Sequence, residues 1–124
     1  MFDTIVAFVP SHDLARSRDF YEGALGMRVV DVNDFALVLL SGETTVRVTL
    51  AENWSPQPFT VLGWTVADAA EVSDRLASAG VALLRYDGMG QDERGVWTTP
   101  TGARVAWFAD PDGNVLSVTQ LPEG

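Results

Sequence analysis

The chain has no cysteine, so neither a disulfide nor a thiolate is available to it. That usage fits a reducing compartment, and a cytoplasmic location is the expectation. Histidine occurs once, at His12, whereas a stable transition-metal site gathers three or four N, S or O donors. Apolar runs are short. Stretches such as Phe35 to Leu40 fall far below the roughly 20 residues of a bilayer-crossing helix, and no basic stretch precedes an apolar one near residue 1. Neither membrane association nor export is therefore expected. Basic residues are scarce as well: 8 against 17 acidic ones give a formal charge of −9 and a pI near 4.3. Such a field repels nucleic acid and favours a cationic small molecule, although an acidic surface also serves solubility alone. A phosphate-cradling glycine loop, a Gly-x-Ser-x-Gly elbow and a Cys–His pair are all missing, which argues against nucleotide-driven and nucleophilic mechanisms.

What is present is apolar side chain in quantity. Hydrophobic residues make up 47% of the 124 and charged residues 20%, enough to offset the entropy cost of ordering one domain and too short for two.

The residues read as one unit written twice. Thr4 to Pro10 alternates like a strand and leads into a helix with Leu14, Ser17, Tyr21, Ala24 and Leu25 on one face, capped by Asp13 and stopped at Gly26. Strands are predicted at Met27 to Val32, Phe35 to Leu40 and Thr45 to Leu50, the last two joined through Ser41, Gly42 and Glu43. The second copy opens with a strand over Phe59 to Val66. Asp68 and Glu71 then read as a capping box, and a helix carries Val72, Leu76 and Ala79 to Gly80. Val81 to Tyr86, Arg104 to Ala109 and Val115 to Thr119 complete it. Asp13 and Asp68 lie 55 residues apart and Gly26 and Gly80 lie 54 apart, so the register holds. The expectation is an α+β domain over residues 1–124 built from two βαβββ modules, at about 1–51 and 59–121, with a proline-bearing linker at about 52–58. The glycine-rich stretch from Gly88 to Thr101 is expected to be an irregular loop over whatever the sheets enclose.

The most informative local feature is Asp110-Pro111-Asp112-Gly113-Asn114. Pro111 presets the first central angle of a type I turn, and Gly113 takes the left-handed bulge position of a three-residue hairpin loop. Asp110 then pairs with Asn114, and counting back along the ladder sets Trp107 opposite Ser117 on one face. This placement makes Asp110 and Asp112 turn-formers rather than an acid–base pair.

Taken in order within a duplicated unit, "DLARSRDFYEGALGMRVV" and "WFADPDGNVLSVTQ" resemble signatures of the glyoxalase/bleomycin-resistance/dioxygenase group, the vicinal oxygen chelate superfamily, and the likeness covers essentially the whole chain. The resemblance implies two modules forming a curved mixed sheet around a cleft, often within a homodimer. In metal-dependent members it implies a His on each module's first strand and a carboxylate or similar ligand on each last strand. Carried over, the first-strand positions are Val6 and Val61, and the last-strand positions are Arg47 and Ser117. Valine has no lone pair and arginine repels a cation, so no metal and no other cofactor is expected.

The residues assigned to ligand binding are Val6, Phe8, Arg47, Val61, Trp107 and Ser117; no catalytic residue is assigned. Trp107 and Phe8 would offer an aromatic wall to a flat ligand, while Trp64 faces the other way, under a helix. Arg47 is expected to meet a carboxylate of the chain itself, with a ligand anion as the alternative. His12 is expected at the surface between strand and helix. Three functions stay open: a metal-independent protein sequestering an antibiotic or other aromatic small molecule, cationic if the acidic field draws it; an enzyme of the superfamily, whether lyase, isomerase, cyclase or dioxygenase; and an interaction module with a filled cleft.

Overall fold

A computed structural model describes residues 1–123. The chain divides into two compact units, Met1–Pro56 and Gln57 onward.

In the first unit, β1 (Val6–Ser11) is followed by α1 (Leu14–Arg18), a π-helical turn (Asp19–Ala24), β2 (Arg28–Val32), β3 (Ala36–Ser41) and β4 (Thr44–Leu50). The sheet order is β1-β4-β3-β2, with β1 parallel to β4 and the remaining pairs antiparallel. Alternation sorts the side chains by face. Val9, Leu37, Leu39, Val46 and Val48 are buried on one side with Phe20 and Tyr21 of the helical segment, while Phe8 on the other side is 64% exposed. Asp13 caps α1 by accepting the Arg16 N–H at 3.1 Å.

A single α-helix was the expectation from Asp13 to Leu25, and the structure departs from it. From Asp19 the backbone widens, and the Leu25 N–H bonds the Phe20 carbonyl five residues back at 3.0 Å. Phe20 and Tyr21 are adjacent, and both are buried, packed edge to face at 4.9 Å. The extra residue of a π-turn re-aims the side chains after it by about one helical step, a shift that an apolar spacing read at 3.6 residues per turn does not register.

The second unit repeats the order. It contains β5 (Thr60–Thr65), α2 (Ala69–Ser78), β6 (Leu83–Leu84), β7 (Trp97–Thr98), β8 (Arg104–Ala109) and β9 (Val115–Gln120), arranged β5-β9-β8-β6 with β7 also on β8. Asp68 caps α2 through the Glu71 N–H, but the Glu71 carboxylate pairs with Arg75 at 3.1 Å. Ala106, Phe108, Leu116 and Val118 are buried on the face that α2 covers, joined by Ala69 and Leu76.

The strand predicted over Val81 to Tyr86 is present only at Leu83 and Leu84. Beyond it the chain leaves the sheet edge and returns at Trp97, so β6 and β7 together occupy one edge position beside β8. Gln91 bridges the gap. Its side-chain amide accepts the Tyr86 N–H at 2.7 Å and donates to the carbonyls of Leu84 at 3.0 Å and Gly95 at 2.7 Å, replacing a strand partner. Ser73 Oγ donates to the Arg94 carbonyl, and the Arg94 guanidinium donates to Asp74, whose hydrogen bond and charge raise its already high pKa. The region predicted as an irregular loop is therefore tied down at several points. Among the described residues no helix is long and apolar enough to cross a membrane.

Candidate functional site

The face of the first sheet opposite its helix carries Val6, Phe8 and Arg47. Register places Phe8 beside Arg47 on one flank and Val38 on the other. The expected internal ion pair is not found: Arg47 is half-buried, and no carboxylate among the described residues lies within 4.0 Å of it. The physical reason is position. Its strand neighbours on this face are phenylalanine and valine, and partial exposure lets solvent share the charge, so the fold is not compelled to supply a partner. Two residues further along β4, on the same face, Thr49 Oγ1 is buried without a hydrogen-bond partner among the described residues. An unmet buried hydroxyl destabilises the fold, so Thr49→Val is expected to raise stability by about 1 kcal/mol in urea denaturation.

On the second unit the face opposite α2 carries Trp107 and Ser117 directly across from one another, as the turn geometry predicts. The turn itself is closed by the Asp110 N–H to Asn114 carbonyl bond at 3.1 Å, with Gly113 at φ 88°. Trp107 is the centre of an aromatic cluster: Trp97 stacks near it at 6.2 Å, and Tyr86 meets it edge-on at 5.4 Å. In the same row β5 presents Gly63 opposite Ser117, where an added Cβ would come within 2.8 Å of Ser117 Oγ. No hydrogen bond among the described residues engages that hydroxyl. Val61 is the extra residue of a bulge between Thr60 and Leu62, so it falls outside this row. Trp64 lies half-buried on the helix-covered side, its ring 6.2 Å from that of Phe108.

The donor set does not suit a metal. The positions that the superfamily's metal-dependent members would use hold two valines, a guanidinium and one hydroxyl, and no group of three His, Cys, Asp or Glu residues that could hold an ion occurs among the described residues. His12 is exposed between β1 and α1, its ring stacked on Trp54 at 4.3 Å and 9°. Asp110 accepts the N–H groups of Asp112 and Asn114 and the Asn114 side-chain amide, which marks it as the organiser of the turn.

Sequence reasoning missed three contributors. Trp97 and Tyr86 join Trp107 only through the split edge, although the β-branched and aromatic run Val96-Trp97-Thr98-Thr99 was a strand signal. Thr49 was legible as a neighbour of Arg47 at i+2, but its lack of a partner is a tertiary property.

Comparison with known proteins bears on the same pattern. The chain matches the profile of the Glyoxalase/Bleomycin resistance protein/Dioxygenase superfamily over residues 2–118. It belongs to that superfamily. A superfamily member from Sphaerobacter thermophilus DSM 20745 aligns with a TM-score of 0.77 at 23% identity, covering 98% of each chain. A glyoxalase-related enzyme from Fulvimarina pelagi aligns at 0.74 with 22% identity, covering 100% of this chain and 94% of its own. The lactoylglutathione lyase from Agrobacterium tumefaciens aligns at 0.73 with 15% identity, covering 95% and 92%. At these identities the likeness establishes the fold and not the activity. No curated protein sequence matches the chain.

Proposed function

We propose that this chain is a metal-independent, small-molecule-binding member of the superfamily, which holds an aromatic compound, such as a planar antibiotic, against the helix-free face of its second unit. The observation that carries this reading is the Trp97–Trp107–Tyr86 cluster beside Ser117, whose hydroxyl the described residues leave unbonded. Offset and edge-on rings favour insertion or stacking of a further aromatic surface, and one polar group can set its orientation. Sequestration needs no reacting group: binding at about −8 kcal/mol or tighter lowers the free ligand into the micromolar range and below. The lyase and the glyoxalase-related enzyme among the structural relatives keep catalysis as the rival reading.

The test is tryptophan fluorescence of the full chain titrated with planar aromatic natural products, with product formation assayed in parallel. Quenching without turnover is expected. Trp107→Ala is expected to weaken binding by about 10-fold or more, the loss typical of a central aromatic anchor, with little change in the amide spectrum. Turnover without added metal, or binding that survives Trp107→Ala intact, would remove this reading.

A further inference from the structure

All eight basic side chains are arginines, and most are engaged. Arg18 pairs with Glu22, Arg75 with Glu71, Arg94 with Asp74 and Arg104 with Asp92, while Arg85 donates to the carbonyls of Asp92 and Glu93. In a chain with 17 acidic residues, a sheltered guanidinium without a carboxylate stands out. Arg47 is that residue. It projects from the middle of β4, between Phe8 and Val38, and two residues on Thr49 Oγ1 is buried without a partner among the described residues. Alternate residues of a strand emerge on one face about 7 Å apart, so two unmet polar groups share a face otherwise furnished by apolar side chains. One group is a fixed cation with a planar donor fork, and the other is a hydroxyl that can donate. Both are complementary to a single oxyanion, and among the described residues Arg47 meets no carboxylate and Thr49 Oγ1 no hydrogen-bond partner.

We propose that Arg47 and Thr49 are a recognition point for an organic carboxylate borne on an apolar body. The guanidinium pairs with the carboxylate through its fork, Phe8 packs on the apolar part, and the Thr49 hydroxyl, covered in this structure, donates to one of the oxygens once the side chains over it part to admit the ligand. The formal charge of −9 does not oppose this at contact. Distant surface charges are screened over about 8 Å at physiological salt, whereas a half-buried pair is screened much less. The cationic ligand suggested by net charge is thereby replaced by an anionic one at this position. The inference rests on the small-molecule reading above, but on residues of the other unit, so the two can fail separately.

The experiment is a titration of the labelled full chain, followed by NMR at the Arg47 side-chain N–H and the Trp107 indole N–H, with three matched probes: 1-naphthoate, 1-naphthamide and 1-naphthylmethylammonium. Naphthoate is expected to shift the Arg47 signal and to bind more tightly than the other two. Arg47→Gln is expected to weaken naphthoate by about 10- to 100-fold, the range for losing a charged hydrogen-bonding partner, and to leave naphthamide unchanged. Arg47→Lys, which keeps the charge but not the fork, should fall between and serves if the glutamine variant fails to fold. Thr49→Val is expected to weaken naphthoate by about 3- to 10-fold, the size of one hydrogen bond, while making the protein more stable, an opposition of sign that a purely structural role would not produce. Equal binding of the three probes, or undiminished naphthoate binding in both Arg47 variants, would overturn the proposal. If naphthamide moves Trp107 while naphthoate leaves Arg47 unmoved, the aromatic reading stands and this one falls. The reverse pattern upholds this inference and removes the other.

Discussion

Phe108→Ala is expected to lower the stability of the second unit by about 3–5 kcal/mol, the usual range for removing a large buried ring. Phe108 is 1% exposed and lies on the face of β8 that α2 covers, with the Trp64 ring stacked near it at 6.2 Å and Leu116 opposite it on β9. The cost combines lost transfer free energy with a cavity that the packed helix and sheet cannot close. Trp107, the preceding residue, points to the other face and is half-buried. Truncating it should therefore spare most of the stability while weakening ligand binding by the factor of about 10 or more given above. The pair forms an internal control: one ring belongs to the fold and its neighbour to the site, separated by a single step of the pleat. Amide exchange of the Leu116 and Val118 N–H groups checks the first half, and a loss below about 1 kcal/mol would show that α2 collapses onto the gap.

Asp110→Ala is expected to cost about 3 kcal/mol, because it strands several donors at once. One carboxylate oxygen accepts the backbone N–H groups of Asp112 and Asn114, both at 2.9 Å, and the other accepts the Asn114 side-chain amide at 2.8 Å. Asp110 and Asn114 are both buried, so water cannot readily replace these bonds. Asp110→Asn should be milder, at about 1 kcal/mol, since a flipped Asn114 amide can present its oxygen to the new NH2 group. Urea denaturation read together with amide exchange across β8 and β9 measures both. Equal losses in the two variants would mean that charge, not donor count, holds the turn.

The same hairpin explains why part of the molecule was legible beforehand. A turn with Pro111 and Gly113 at fixed offsets allows few geometries, so the pairing of Trp107 with Ser117 followed from counting. The Asp caps at 13 and 68 were equally readable, since they act on N–H groups two or three residues away. Reading failed where distance along the chain was the decisive variable. Nothing local distinguishes Gln91 from any loop glutamine, yet it completes a sheet edge. The π-turn adds one residue to the helical ladder between Asp19 and Ala24, and the apolar spacing that marked the helix carries no sign of that insertion. For the candidate site, residue types and faces were accessible. The company they keep was not: Trp97 and Tyr86 gather at Trp107 across an excursion, and among the described residues Arg47 lacks the internal carboxylate that its partial burial suggested.

That excursion has an evolutionary side. Because one glutamine amide imitates a peptide group at the sheet margin, the segment between β6 and β7 can be exchanged as a cassette, with no change of hydrogen-bonding in the central strands β8 and β9. Tyr86 and Trp97 stand at its two ends and travel with it. A lineage could thus acquire a new chemical taste by rewriting this insert, leaving the inherited scaffold beneath it untouched.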